Sequence, residues 1–307
     1  MRLEDGAGPA GLGRSAAALG NFDGVHLGHV ALVGEALAAA GASGATPVAL
    51  TFDPHPSRVL SPDRAPSTLM TAAQKAEALA ALGVGAVVVV PFTVELASLS
   101  PLEFAREVLV GRLGASCVVV GEHFRFGRGR SGDLKALRAL GRELGFAVRG
   151  VSPVLCQGLP ISSTRIREAV ARGDVGSARE MLGRPYSIDG DVGRGDGRGR
   201  SLGVPTANLE PRNELLPRRG VYAGRCRSGG REWPAVANVG YRPTFGSGAL
   251  VVEAHLIGFQ GNLYGSSLRL AFLERLRDER AFPDAAALRA QIRSDVERAA
   301  LLQDGAE

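Results

Sequence analysis

The sequence is poor in lysine, cysteine and large aromatic residues. Of its 36 basic residues only Lys75 and Lys135 are lysines, and neither stands in a G-x-x-x-x-G-K-[ST] context. That argues against a Walker-type phosphate loop and against a Schiff-base lysine at a recognisable motif. Cys117, Cys156 and Cys226 lie 39 and 70 residues apart. An odd number without C-x-x-C spacing rules out a disulfide framework or zinc cluster and fits a reducing compartment. One Trp and four Tyr leave few platforms on which bases stack. No apolar run approaches the ~20 residues that span a bilayer. The opening MRLEDGAG is acidic and glycine-rich where a secretory peptide is basic and then apolar. The expectation is a cytoplasmic protein with no membrane and no nucleic-acid partner.

The 307 residues are 45% hydrophobic and 22% charged, which makes a folded protein of two domains at roughly 150 residues each. Lys plus Arg exceeds Asp plus Glu by 36 − 31 = +5, a modest balance that suits anionic small ligands. Up to about residue 182, short apolar runs alternate with Ala/Leu-rich stretches of helical period. The runs are SAAALG (15–20), PVALTF (47–52), GAVVVVPF (85–92) and CVVVG (117–121). Continuous hydrophobicity predicts strands buried on both faces, hence a parallel sheet. Ser100-Pro101-Leu102-Glu103 and Thr71 with Gln74 supply capping boxes between them. The reading is an α/β Rossmann-like domain over 1–183, with helices on both faces of the sheet and ligands at the strands' carboxyl ends.

Beyond it the texture changes. GDVGRGDGRGRSLG (190–203) is dense in Gly and Arg, and GVYAGRCR, WPAVANVGY, LVVEAHLIGF and LRLAFLERLR follow, several alternating with period two. That is an antiparallel pattern, a β-barrel or sandwich over 184–307. It closes with a helix from Asp284 whose stripe is Leu288, Ile292, Val296 and Ala299.

Two stretches carry chemistry. The first is Gly20-Asn21-Phe22-Asp23-Gly24-Val25-His26-Leu27-Gly28-His29, between a strand and a helix. Gly20 and Gly24 permit a tight turn, the helix start offers N–H groups to an anion, and His26 and His29 share one face. Such a corner suits stabilisation of an α-phosphate in transfer. The second is Gly199-Arg200-Ser201-Leu202-Gly203-Val204-Pro205-Thr206-Ala207-Asn208-Leu209. Gly193, Gly195, Gly197 and Gly199 form a flap whose N–H groups can wrap a polyphosphate, with Arg194, Arg198 and Arg200 supplying charge. Thr206 and Asn208, two apart on an extended segment, offer two neutral oxygens to Mg²⁺ carried by ATP.

With these motifs the chain resembles the bacterial bifunctional riboflavin kinase/FAD synthetase family over nearly its whole length. The likeness includes H-x-G-H, the segment Thr51-Phe52-Asp53-Pro54-His55-Pro56, and Ile161-Ser162-Ser163-Thr164-Arg165-Ile166-Arg167. It also includes G-R-x-L-G-x-P-T-A-N-L, Val251-Val252-Glu253-Ala254-His255-Leu256 and Asn238-Val239-Gly240-Tyr241-Arg242-Pro243-Thr244-Phe245. Gly121-Glu122-His123-Phe124-Arg125-Phe126-Gly127 matches a further loop, with His123 where the family carries Asn or Asp, and Gly258 stands where it often carries Asp.

The resemblance implies that His26 and His29 act in adenylyl transfer, with Gly20, Asn21, Phe22, Asp23, Gly24 and Gly28 around the nucleotide. Ser162, Ser163, Thr164 and Arg167 would hold its phosphates opposite them. Phe52, Pro54, His55, His123, Phe124 and Arg125 are the flavin-side residues of that domain. In the second domain Glu253 is the implied base, and the Asn238–Phe245 loop with Leu276-Arg277-Asp278-Glu279 shapes the flavin pocket and the nucleotide's surroundings, Tyr241, Arg242 and Arg277 on the flavin. The implied substrates are riboflavin, FMN and ATP with Mg²⁺, the products FMN and FAD. Two rival readings remain: a riboflavin kinase alone, its nucleotidyltransferase half impaired by His123, and a non-enzymatic RNA-binding protein. A class I aminoacyl-tRNA synthetase also places two histidines at such a helix start, but no lysine-bearing K-M-S-K-S-like loop is present.

Overall fold

A computed structural model describes residues 13–194, 203–241 and 250–302. By its contacts the chain divides into two compact units, one ending at Ser162 and the other beginning at Ser163. The helices Ser163–Arg172 and Val175–Leu182 therefore belong with the second unit.

The first unit is a five-stranded parallel sheet: β1 (Ser15–Leu19), β2 (Thr46–Asp53), β3 (Ala86–Pro91), β4 (Ala115–Gly121) and β5 (Ala147–Val151), in the order β3-β2-β1-β4-β5. Four of these were expected from their unbroken hydrophobicity. β5 was not, because an edge strand that leaves Ala147 and Arg149 exposed carries no such run. The alternation within β1 shows why both faces must be apolar. Ala16 and Ala18 join the cluster beneath the helix Leu27–Ser43, whereas Ala17 and Leu19 join the opposite cluster with Phe104, Val108 and Leu109. Both capping boxes form, Thr71 with Gln74 and Ser100 with Glu103. A small hairpin, β6 (Leu155–Cys156) and β7 (Leu159–Pro160), follows.

The second unit is a closed barrel of β8 (Tyr186–Gly193), β9 (Ala207–Pro211), β10 (Gly220–Ser228), β11 (Arg231–Tyr241), β12 (Leu250–Leu256) and β13 (Ser267–Arg277). Around the barrel they run β10-β11-β12-β9-β8-β13. Period-two patterning fills the interior with Ala207, Leu209, Ala235, Ala237, Val252, Ala254, Leu268, Leu270 and Phe272, all buried. Their alternating neighbours face outward. The last helix, Ala285–Leu301, is N-capped by Asp284, which accepts from the Ala287 N–H at 2.8 Å. Its stripe differs from the sequence reading in one residue. Asp295 is 5% exposed, more buried than Leu288 or Ile292, because Arg277 of β13 pairs with it.

Candidate active sites

In the first unit the chain turns from β2 and β3 on one side to β4 and β5 on the other, so the loops after β1 and β4 flank the sheet's switch point. The loop after β1 holds the histidine motif. Phe22 and Val25 adopt φ of 49° and 40°, a left-handed conformation that a β-branched residue avoids. Each such residue costs of order 1–3 kcal/mol, which persists only where the surroundings over-determine it. Here both side chains are buried at 0–1% exposure, and the Val25 N–H donates to the Phe22 carbonyl at 3.2 Å. The strain delivers the chain to His26, the N-cap of Leu27–Ser43, whose side chain does not cap the helix. Its ring instead stacks on that of His29, with centroids 3.7 Å apart and planes within 17°. Phe22 meets His29 edge-on at 5.1 Å. Gly28 makes this possible, since a Cβ there would lie 3.1 Å from the His26 ring.

The neighbouring residues divide by role. Asp23 is 2% exposed and accepts the Leu69 N–H at 2.9 and 3.2 Å, so it fastens the turn to the chain before Thr71. The Asn21 carbonyl accepts from Thr51 Oγ1 at 3.0 Å, and the Asn21 amide lies 3.4 Å from His55 Nε2. That joins the loop after β1 to the end of β2 and the Pro54-His55 turn that follows it, where Phe52 packs edge-on against Phe92 at 5.5 Å. Sequence reasoning missed Lys75. Its ammonium donates to Thr51 Oγ1 at 3.3 Å and to the Phe52 carbonyl at 3.4 Å. Burial pushes its pKa down, with the nearby carboxylates of Asp23 and Asp53 opposing that shift. Only its position beneath two loops could have marked it, and that is a property of the fold.

After β4, Phe126 is buried and stacks on Phe124 at 5.5 Å, while His123 and Arg125 are exposed. Arg125 lies 3.6 Å from Asp133. Ser163, Thr164 and Arg167 fall in the first turns of the helix Ser163–Arg172, directly after Ser162.

In the barrel the site is a row of side chains across five strands. Asn208 of β9 is in register with Glu253 of β12, Glu253 with Asn238 of β11, Asn238 with Val221 of β10, and Val221 with Arg277 of β13. Residues in register point to the same side, and this row faces out of the barrel. A cavity of about 710 Å³ lies over it, lined by Glu253, Asn238, Val221 and Arg277 of the row, with Thr206 and His255 beside them and Leu288, Ile292 and Asp295 of the last helix. Thr206 also lines a second, smaller cavity of about 100 Å³ with Val192, Leu256 and Tyr264, so the threonine stands where the two adjoin. His255 Nδ1 lies 2.8 Å from the Pro205 carbonyl and ties β12 to the segment bearing Thr206.

Arg277 is held from the side. Its guanidinium donates to both oxygens of Asp295 at 2.8–3.2 Å, and Gln291 Nε2 donates to the same carboxylate at 2.8 Å. This buried, bidentate pair anchors the last helix over the cavity. Glu279, read from the sequence only as the end of a pocket-shaping segment, accepts from Arg219 at 3.0 and 3.1 Å and from Asn238 Nδ2 at 3.1 Å. Gly195, Gly197, Arg198, Gly199, Arg200 and Arg242 lie outside the described residues, and Tyr241 ends β11. Among the described residues no three His, Cys, Asp or Glu side chains cluster as metal ligands, and no helix is long and apolar enough to cross a membrane.

Comparison with known proteins agrees with this geometry. The FAD synthetase family profile matches residues 9–165 and the riboflavin kinase profile residues 182–302. The bifunctional riboflavin kinase/FMN adenylyltransferase of Pseudomonas fluorescens is 39% identical over 93% of this chain and 92% of its own length. Its namesakes in Escherichia coli K12 and Bacillus subtilis are each 37% identical, over 90% and 93% of this chain and 89% and 92% of their own lengths. A crystal structure titled a macrolide-efflux protein from Streptococcus pneumoniae superposes with a TM-score of 0.85 at 30% identity, covering 93% of both chains. With a histidine-bearing turn at the switch point of a parallel sheet, a registered row centred on Glu253 on a closed barrel, and both profiles in this order, the chain belongs to the bifunctional riboflavin kinase/FAD synthetase family.

Proposed function

We propose that this protein makes FAD from riboflavin in two ATP-dependent steps, one in each unit. The barrel phosphorylates riboflavin to FMN with release of ADP. The parallel-sheet unit then transfers AMP from a second ATP to FMN, giving FAD and pyrophosphate. The observation that carries this reading is Glu253 on the wall of a cavity large enough for a flavin, flanked in register by two asparagines.

In the kinase step a carboxylate must take the proton of the ribityl 5′-hydroxyl as its oxygen attacks the γ-phosphorus and the bond to ADP breaks. Glu253 is the candidate, facing the flavin cavity from the middle of a rigid sheet. The smaller cavity next to Thr206 has room for only a part of the nucleotide, and a phosphate placed there would lie at the junction of the two. Thr206 and Asn208 present neutral oxygens, the donor set suited to a hard cation whose charge the ATP phosphates balance, and they would hold Mg²⁺. The chemistry such an ion would supply there is neutralisation of charge on the ATP phosphates. Gly195, Gly197, Gly199, Arg198 and Arg200 keep their sequence reading as a phosphate-wrapping flap.

In the adenylyl step an FMN phosphate oxygen attacks the α-phosphorus of ATP and pyrophosphate departs. The strained turn from Phe22 to Val25 presents the stacked imidazoles at a helix N-terminus, so donors and dipole converge on an anion. His26 and His29 would donate to the charge on the phosphates. Ser162, the last residue of the first unit, is proposed as a further phosphate ligand, and Ser163, Thr164 and Arg167 keep their sequence reading as phosphate-holding residues at a helix start. Phe52, Pro54, His55, His123, Phe124 and Arg125 are proposed for the FMN side, and His123 can supply the donor that an amide would give.

The test is to incubate purified protein with riboflavin, ATP and Mg²⁺ and separate the flavins by chromatography. FMN and then FAD should accumulate. Recovery of riboflavin alone would contradict the proposal, and conversion of supplied FMN to FAD tests the second step by itself.

A further inference from the structure

Asn238 has a feature that the two-step reading leaves unexplained. Its carboxamide nitrogen donates to Glu279 Oε1 at 3.1 Å, and Glu279 also receives two N–H groups of Arg219. A carboxylate only accepts, so the amide nitrogen must face Glu279 and the amide oxygen must face the other way. The arrangement is built in closely. Gly240, two residues further along β11, leaves the space that Glu279 occupies, and a Cβ there would collide with its carboxylate. The oxygen that this network turns aside, Asn238 Oδ1, is buried and has no hydrogen-bond partner among the described residues. Asn238 lines the flavin cavity and stands next to Glu253 in the row.

A buried acceptor left unmet is costly, and a polar group in that state at the wall of a ligand cavity calls for a donor from the ligand. Its neighbour Glu253 is also an acceptor. Two acceptors side by side, about 5 Å apart across adjacent strands, fit a ligand that carries hydroxyl donors in sequence along a chain. We propose that Asn238 Oδ1 accepts a hydrogen bond from a second hydroxyl of the polyol chain whose terminal hydroxyl faces Glu253. Asn238 is then a specificity residue that selects a polyhydroxylated side chain and sets its register against the base. The Arg219–Glu279 pair acts through it, as a positioning device that keeps the amide from turning over. This inference rests on the kinase reading of the cavity.

The experiment compares kcat/KM for phosphorylation of riboflavin and its three singly deoxygenated analogues, lacking the 2′-, 3′- or 4′-hydroxyl. Wild-type protein should lose about tenfold on one analogue, the worth of a neutral hydrogen bond in a buried site. Asn238→Ala should lose a similar factor on riboflavin and nothing further on that analogue, while Asn238→Ser, which restores an oxygen acceptor, should recover part of the difference. Glu279→Gln, whose new amide can donate and so frees the Asn238 amide to turn, should narrow the discrimination in the same direction. Equal treatment of all three analogues by the wild-type protein would overturn the proposal without any variant. An Asn238→Ala protein that lowers all four substrates by one common factor would overturn it too, by showing a merely structural role. If wild-type protein phosphorylates no flavin at all, the kinase reading itself fails, and the inference with it.

Discussion

The two units handle the same nucleotide from opposite ends and are built on opposite plans. In the parallel sheet the strand interiors are buried on both faces, so only strand ends such as Phe52 are left for chemistry. The candidate groups stand at the strand ends and on the loops beyond them, and rigidity comes from backbone strain at Phe22 and Val25 and from bonds such as Thr51 to Asn21 and Lys75 to Thr51. In the barrel the interior face is filled by apolar side chains, while the outer face is only partly covered, by helices. The outer face of β9, β12, β11, β10 and β13 carries the row from Asn208 to Arg277, and rigidity comes from the sheet itself. A loop site is fixed by local conformation and a row site by register, so they should fail in different ways.

The sharpest test of that contrast is the base. Glu253→Gln keeps shape and register and removes only the carboxylate. It should lower FMN formation by about 10³-fold, within the usual range for general-base catalysis, and leave conversion of supplied FMN to FAD within about twofold. Replacing His26 and His29 together with Ala should do the reverse, lowering FAD formation by about 10²-fold or more through lost phosphate stabilisation. Riboflavin phosphorylation should be untouched.

A third test separates stability from chemistry. Asp295→Ala leaves Arg277, about one-fifth exposed, without its counter-charge, which should cost about 1–3 kcal/mol. The cost should fall on the barrel, which would melt earlier in calorimetry and phosphorylate riboflavin less well, with FAD synthesis from FMN retained below that transition. Equal loss of both activities in folded protein would mean that the last helix serves more than the barrel. The smallest effect is expected at Lys75. Lys75→Met removes the two hydrogen bonds that the ammonium makes to Thr51 and Phe52 near the end of β2, and should lower adenylyl transfer about tenfold, with no change in the kinase step. Lys75→Arg, which keeps the charge, should restore part of it.

The contrast also explains what was legible in the sequence. The loop site is nearly contiguous, from Gly20 to His29, so its glycines and histidines could be read as one motif. Its strain could not, since nothing about Phe22 or Val25 announces a positive φ. The continuous apolar runs revealed β1 to β4, whereas β5, half exposed at the sheet edge, left no run to find. In the barrel the alternation of β10 to β13 was visible and led to the expectation of an antiparallel barrel or sandwich. The row was not visible, because its members come from five strands spread between residues 208 and 277 and meet only through register. Asn238, Glu279 and Asp295 became significant only once Glu253, Arg219 and Arg277 were placed against them. Asp295 in particular stands on a stripe whose period predicts an apolar residue, and the buried arginine beneath it is what makes a carboxylate stable there.

The central claim is that two independent sites share one chain, and the most direct measurement is of both half-reactions in a single variant. Purified Glu253→Gln should be given riboflavin and ATP in one vessel and FMN and ATP in another. The account predicts almost no FMN in the first and FAD at close to the wild-type rate in the second. Loss of FAD synthesis in the second, in a protein that remains folded, would contradict it.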